Sequence, residues 1–198
     1  MNLHKKQNIA VESYENALVI RFSRPEIRNP LSVEVLNELN EIIETVSTNS
    51  SIKNVIFTGT DEIFASGANL REIAEVTADS AREFALRGQA LMNKIAGSPQ
   101  TTIAAVNGAC FGGALDLALA CDRRIASPNA VFCHPGAKLG IMTGWGGTQR
   151  LPRLIGEAKA LEMFLTARQI TAEEALQIGL IDKIPENFRE EIAELAEN

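Results

Sequence analysis

The chain has 198 residues, of which 45% are hydrophobic and 22% are charged, and its formal net charge at pH 7 is -6. This length and composition are typical of globular proteins, so we expect a single domain over residues 1–198. An acidic chain without a broad basic field argues against nucleic acid or an anionic membrane as the main partner. Any anionic ligand must therefore be held by local groups.

The cysteines Cys110, Cys121 and Cys133 are odd in number and lack CxxC spacing. Because His4 and His134 are the only histidines, the sequence predicts no metal site. The thiols are expected to be buried and reduced, which is typical of a cytoplasmic protein. The N-terminal segment lacks the apolar stretch of a signal peptide, which also favours the cytoplasm.

Short apolar runs alternate with segments of helical periodicity along the chain. The pattern predicts strands at 17–22, 54–59, 101–108 and 180–184, and helices at 32–48, 79–97, 112–120, 157–166 and 171–179, with a helix-like tail. Residues 61–73 are predicted to form a loop that turns into a helix, and residues 140–156 a glycine-rich loop. This alternation predicts the α/β class.

The apolar run 103–121 is long enough for a crude membrane-span criterion. However, Asn107, Asp116 and the glycines of this run would be costly in hydrocarbon. The run is therefore predicted to be a buried strand, turn and helix.

Two turns, Gly67-Ala68-Asn69 and Gly112-Gly113-Ala114, share one arrangement. In each, a strand leads through a glycine-containing turn to the start of a helix, whose free N–H groups point out of the turn. Two such N–H groups that converge on one oxygen form an oxyanion hole. Each turn taken alone is also compatible with simple tight packing.

Five segments in order carry a resemblance to a known family. The segments "FASGANL", "AAVNGACFGGALDLALACD" and "GWGGTQRLPRLIG", with "RPEIRNPLS" before them and "LTARQITAEEALQIGLIDKI" after them, resemble the crotonase (enoyl-CoA hydratase/isomerase) superfamily. The resemblance implies a crotonase-like spiral of ββα units, a homotrimer or hexamer, and an acyl-CoA thioester substrate with no separate cofactor. Chains of this family usually continue for several more helices, so we expect the usual C-terminal helices to be lacking, in a truncated or a naturally short form.

The resemblance also implies site residues. The N–H groups of Ala68 and Gly113 would bind the thioester carbonyl oxygen and stabilise an enolate, and Asp116 matches the first catalytic glutamate of the hydratases. Arg28 would lie near the CoA phosphates, and the alternative is that it is an ordinary surface arginine. The implied substrate and CoA pocket comprises Arg28, Ala65, Gly67, Ala68, Leu70, Gly112, Gly113 and Gly136.

The sequence departs from the hydratase pattern at both acids. Asp116 is one methylene shorter than glutamate, and the second glutamate maps onto Gly136. Dienoyl-CoA isomerases resemble the chain in the aspartate, and naphthoate synthases, which use bicarbonate, resemble it in the glycine. Three functions stay open: a hydratase or isomerase in which Asp116 moves the proton, a catalytically silent acyl-CoA-binding or assembly subunit, and a decarboxylase or carbon–carbon hydrolase.

Three side chains near these motifs have two interpretations each. Asp116 is either an acid–base group whose pKa is raised by an apolar pocket, or a helix-capping acid or one paired with Arg123 or Arg124. His134 is either a substitute base or a neutral strand histidine that points elsewhere. Trp145 either lines the acyl pocket or packs in the core.

Overall fold

A computed structural model describes residues 2–5 and 8–197, with side chains from residue 8 onward. Its strands are β1 (Asn2–Lys5), β2 (Ile9–Ser13), β3 (Ala17–Phe22), β4 (Pro30–Leu31), β5 (Asn54–Thr58), β6 (Ile63–Ala65), β7 (Gly67–Ala68), β8 (Thr101–Val106), β9 (Ala109–Phe111), β10 (Arg123–Ala126), β11 (Val131–Cys133) and β12 (Ile170–Thr171). Its α-helices are α1 (Val33–Ser47), α2 (Leu70–Ala74), α3 (Ala78–Ala96), α4 (Gly113–Ala120), α5 (Gly136–Leu139), α6 (Gly147–Ile155), α7 (Glu157–Thr166), α8 (Ala172–Gln177) and α9 (Phe188–Glu197). A short 3-10 helix covers Pro25–Ile27.

The chain winds as a spiral of ββα units. The larger sheet has the strand order β1-β2-β3-β5-β8-β10, and the smaller sheet has the order β12-β11-β9-β6. The strand pairs β5-β6, β8-β9 and β10-β11 each add one parallel strand to the larger sheet and then one strand to the smaller sheet before one or more helices follow. In the preceding turn, β4 instead pairs with β7 in a separate two-stranded sheet. The predicted α/β spiral of ββα units is therefore confirmed.

The larger sheet is buried on both faces, as the continuous apolar character of its central strands predicts. On β5, Val55 and Phe57 belong to the main core, whereas Ile56 belongs to a second cluster on the opposite face. In that cluster Phe188 and Ile192 of α9 pack against the sheet. The hydrophobic side chains of β5 therefore stabilise both faces at once.

Helix α1 begins where the sequence places it, because the hydroxyl oxygen of Ser32 accepts a hydrogen bond from the Val35 N–H at the helix start. Its buried side chains, which recur at helical spacing, are Val35, Leu36, Leu39, Ile43 and Val46. Helix α3 begins with a capping box between Thr77 and Ser80. These caps define where the two helices begin.

Three local predictions are wrong. Residues 61–73 contain the short strands β6 and β7 before α2 begins. The second half of the predicted glycine-rich loop 140–156 forms α6, with Pro152 in its interior. The predicted strand 180–184 is reduced to a single bridge between Ile125 and Lys183. Strands of two or three residues form through tertiary pairing and leave little periodicity in the sequence.

The apolar run 103–121 folds as the strands β8 and β9, a turn and α4, as predicted. Within the part of the chain that the structure describes, no helix has the length and apolar character needed to cross a membrane.

Candidate active site

The two glycine turns lie in direct contact. Gly67 has φ +89, and a Cβ atom at this position would lie 2.5 Å from the Phe111 carbonyl oxygen and 2.8 Å from the Gly113 nitrogen. Gly112 has φ +54 and donates its N–H to the Cys133 carbonyl oxygen at 2.9 Å. Only glycine at position 67 permits this close contact between the two turns, and the contact brings Ala68 and Gly113 together.

The N–H group of Gly113 has no hydrogen-bond acceptor within α4, because Gly113 is the first residue of that helix. Gly113 is the first residue of α4, Gly112 precedes it without a side-chain cap, and the first hydrogen bond of the helix is donated by the Asp116 N–H to the Gly112 carbonyl. An N–H in the first turn of a helix has no acceptor within that helix. It is therefore available for an oxygen in the adjacent cavity.

A cavity of about 370 Å³ opens beside these turns. Five of the expected site residues line it: Ala68, Leu70, Gly112, Gly113 and Gly136. The rest of its wall is mostly apolar and comprises Ser66, Ile73, Val76, Ala81, Phe84, Ala85, His134, Pro135, Leu139, Ile141, Met142, Thr143, Gly144 and Trp145. A mostly apolar cleft with a few polar groups is the usual form of a small-molecule site.

The remaining expected residues lie around the cavity and do not line it. Ala65 is fully buried in the main core, and Gly67 supports the contact between the two turns. Arg28 is exposed, has φ 65, and accepts a hydrogen bond through its carbonyl from the Ser66 N–H at 3.0 Å. Its side chain therefore stands in solvent beside a segment of the cavity wall, and its role toward CoA stays a prediction.

Asp116 is fully buried one turn into α4. Its Oδ2 atom accepts a hydrogen bond from the Thr143 hydroxyl, and its Oδ1 atom lies 3.7 Å from His134 Nε2. Nothing in the sequence indicated Thr143, because a single hydroxyl in a glycine-rich segment has no distinctive spacing. The carboxylate thus touches the cavity wall through two side chains that line it.

The alternative that Asp116 pairs with Arg123 or Arg124 is wrong. Arg124 is buried, donates to the carbonyl oxygens of Cys121 and Leu180, and lies 3.6 Å from Asp182. Arg123 is exposed. The sequence could not separate these arrangements, because β10 follows α4 so closely that proximity alone permits either.

Burial shifts the pKa values of the acid and its neighbour in opposite directions. Burial raises the pKa of the Asp116 carboxyl from 3.8 to about 6, against the opposing effects of the Thr143 hydroxyl, the Trp145 and Gly147 N–H groups and the Arg150 charge. Burial lowers the pKa of His134 from 6.5 to about 4. At neutral pH the pair therefore consists of a carboxylate and a neutral imidazole.

His134 does not point away from the site. It follows β11 directly, is 3% exposed, and lines the cavity. The interpretation that it points elsewhere is therefore wrong, although its neutral state agrees with that interpretation.

Trp145 both lines the cavity and packs in the core, and a role toward an acyl group stays a prediction. It lines the cavity, and its indole ring lies against two glycines. A Cβ atom at Gly113 would be 2.4 Å from the ring, and one at Gly88 would be 2.2 Å from it. Phe84 packs on the same ring at a centroid distance of 6.0 Å. The indole thus forms an apolar wall directly beside the Gly113 N–H.

Gly136 stands where the resemblance places a second acid, and its surroundings leave no room for one. A Cβ atom at this position would lie 2.4 Å from the Ile141 carbonyl oxygen. At Gly144, by contrast, a Cβ atom would meet only the Ala85 Cβ at an ordinary 3.7 Å. The backbone near Ile141 therefore leaves room for glycine at position 136 but not for a residue with a side chain.

The cysteines Cys110, Cys121 and Cys133 are buried free thiols. Across residues 8–197, no group of three or more histidine, cysteine, aspartate or glutamate side chains is placed to hold a metal ion. The His4 side chain lies outside the described residues, so the absence of a metal site stays a prediction.

Comparison with known proteins shows the family to which the chain belongs. The enoyl-CoA hydratase/isomerase family model matches residues 12–198. The chain is 39% identical over 193 residues to a crotonyl-CoA hydratase of Syntrophomonas wolfei, covering 96% of the chain and 74% of that protein. It is 38% identical over 180 residues to a short-chain-enoyl-CoA hydratase of Clostridium acetobutylicum, covering 90% of the chain and 69% of that protein.

A solved structure agrees with these matches. The crystal structure of enoyl-CoA hydratase from Bacillus anthracis superposes with a TM-score of 0.89 at 36% identity, covering 96% of the chain and 75% of that structure. The chain belongs to the enoyl-CoA hydratase/isomerase family of the crotonase superfamily.

Proposed function

We propose that the chain binds an acyl-CoA thioester in the cavity and converts it through a thioester enolate, by hydration or isomerisation of an enoyl group. The observation that carries this proposal is the contact between the Gly67 and Gly112 turns. It brings Ala68 and Gly113 together on the cavity wall, beside a buried carboxylate.

The oxyanion hole supplies most of the proposed catalysis. The N–H groups of Ala68 and Gly113 would donate to the thioester oxygen, which gains negative charge when the α-proton leaves or a nucleophile adds. Removal of one donor from such a hole typically costs about 2.7–4 kcal/mol of transition-state stabilisation. Asp116 is the proton acceptor at this end of the cavity, and its pKa of about 6 suits a general base at neutral pH.

The remaining parts of the proposal concern the CoA, the assembly and the compartment. Arg28 is proposed to meet the CoA phosphates, and CoA is part of the substrate, with no separate cofactor. Leu161 and Leu165 of α7 are 56% and 65% exposed, which supports their burial against further copies in a homotrimer or hexamer. The buried free thiols support a cytoplasmic location.

A spectrophotometric assay tests the proposed activity. Wild type is expected to turn over crotonyl-CoA or a 3-enoyl-CoA, and Asp116→Ala is expected to lose that turnover while it still binds acyl-CoA. Equal turnover by both proteins would remove Asp116 from the mechanism.

A catalytically silent acyl-CoA-binding subunit is the second candidate, and Gly136 favours it. The backbone around this glycine excludes the second acid of the hydratases. Calorimetry separates the two functions: tight acyl-CoA binding without turnover across both substrates would support the silent subunit. Absence of binding would refute both.

A further inference from the structure

Three buried polar atoms converge at the Asp116 end of the cavity without a hydrogen-bond partner among the described residues. They are Asp116 Oδ1, His134 Nδ1 and His134 Nε2. Buried polar atoms in folded proteins almost always have partners, so such a cluster calls for a specific explanation. Because His134 also lines the cavity, a substrate bound there is a candidate partner for these atoms.

His134 and Asp116 differ in their relation to the cavity. His134 lines it, whereas the Asp116 side chain lies behind that lining, with Oδ2 bonded to the Thr143 hydroxyl. A Cβ atom at Gly147 would lie 2.1 Å from Asp116 Oδ1 and 3.1 Å from His134 Cε1. The glycine at position 147 therefore leaves this space to the acid and the imidazole.

The charge states of Asp116 and His134 indicate which imidazole nitrogen donates a hydrogen bond and which one accepts. A neutral imidazole has one N–H donor and one acceptor nitrogen, and an ionised carboxylate only accepts. His134 Nε2 is the nitrogen that lies 3.7 Å from Asp116 Oδ1, so we assign the hydrogen to Nε2. Nδ1 is then left as an acceptor without a partner among the described residues.

We propose that His134 relays the proton between an acyl-CoA bound in the cavity and Asp116. In this step the Cα–H bond breaks and an Nδ1–H bond forms, while the Nε2–H bond breaks and an Asp116 Oδ1–H bond forms. The electron pair of the C–H bond moves to the thioester oxygen held by Ala68 and Gly113. The reverse transfer returns the proton to a carbon of the enolate.

This relay rests on the proposed function, and it explains how a fully buried carboxylate reaches the substrate. The Nε2–Oδ1 distance must close from 3.7 Å, and catalytic hydrogen bonds are often long in the free enzyme and tighten when substrate binds. The charge moves from the carboxylate to the enolate, and the imidazole stays neutral throughout. His134 thus takes part in the proton transfer, for which the hydratases use a second acid that Gly136 excludes here.

Deuterium incorporation at the α-carbon of butyryl-CoA in D2O, followed by NMR, measures the relay without a complete reaction. Wild type is expected to exchange the α-proton, and His134→Gln to exchange it about 10²-fold to 10⁴-fold more slowly with an unchanged Kd for butyryl-CoA. Asp122→Asn is the matched control: Asp122 accepts from the Thr102 N–H and hydroxyl, away from the cavity lining, and this variant should exchange like wild type.

Chemical rescue separates proton transfer from a packing role. His134→Ala is expected to lose exchange and to regain part of it when free imidazole is added, and Asp116→Asn is expected to show no such rescue. Two results would overturn the relay while leaving the proposed function intact. One is a wild-type exchange rate in folded His134→Gln, and the other is a loss of exchange in folded His134→Ala that imidazole does not rescue. Absence of exchange and turnover in wild type itself would instead refute the proposed function.

Discussion

Asp116→Asn should make the protein more stable at high pH while it removes activity. The wild-type carboxylate is fully buried, and burial is the main cause that raises its pKa from 3.8 to about 6. Its ionised form is therefore disfavoured in the fold relative to the unfolded chain. Asparagine has nearly the same shape and carries no charge, so the variant avoids this cost.

The sign and size of the effect follow from the pKa. Between pH 3.8 and about 6 the folded wild type binds more protons than the unfolded chain, so its stability falls as the pH rises through this range. The full difference corresponds to about 3 kcal/mol, at 1.36 kcal/mol for each pKa unit. His134, whose pKa is lowered to about 4, has the opposite pH dependence, but it is present in both proteins and cancels in their difference.

Urea unfolding of both proteins at pH 4 and pH 8 measures this prediction. The free energies of unfolding should agree near pH 4, and at pH 8 the variant should be more stable by up to about 3 kcal/mol. Asp122→Asn removes a carboxylate that is hydrogen-bonded to Thr102, so it should instead be less stable than wild type at pH 8. Equal stability of wild type and Asp116→Asn at pH 8, or a less stable variant, would refute the conclusion that the fold disfavours this charge.

Three further predictions concern the same cavity. The kcat/KM of wild type should rise with pH through about 6, because Asp116 must be ionised to accept a proton, and a pH-rate profile that is flat from pH 5 to 8 would contradict this. Gly136→Glu should be destabilised and should gain no activity, whereas Gly144→Ala should keep wild-type stability, as thermal unfolding and turnover assays will show. Gly113→Ala should lower the free energy of unfolding by about 1–3 kcal/mol, because the added methyl group clashes with Trp145. Trp145→Ala should lower the free energy of unfolding less in the Gly113→Ala protein than in wild type, and a double-mutant cycle measures this difference.

The sequence predicted the longer strands, most helices and the two glycine turns well, because these depend on local signals, whereas the ββα order came from the family resemblance. Continuous apolar strands such as β5, and the Ser32 cap of α1, are visible in a single window of residues. The turns at Gly67 and Gly112 combine a glycine with the start of a helix. The family resemblance then indicated that the turns meet, which the contact between Gly67 and Gly113 confirms.

The sequence could not predict the surroundings of Asp116. Thr143 and His134 reach the carboxylate from segments 27 and 18 residues away, and no periodicity links them to α4. The closed backbone at Gly136 depends on the path of the Ile141 carbonyl, which a residue type does not indicate. Contacts that depend on loop paths require the folded structure.

A crystal structure with a bound, unreactive acyl-CoA analogue tests the central claim most directly. The thioester oxygen is expected at about 2.7–3.1 Å from both the Ala68 and the Gly113 nitrogen, with the acyl α-carbon directed toward His134. A thioester oxygen bound away from these two N–H groups would contradict the account.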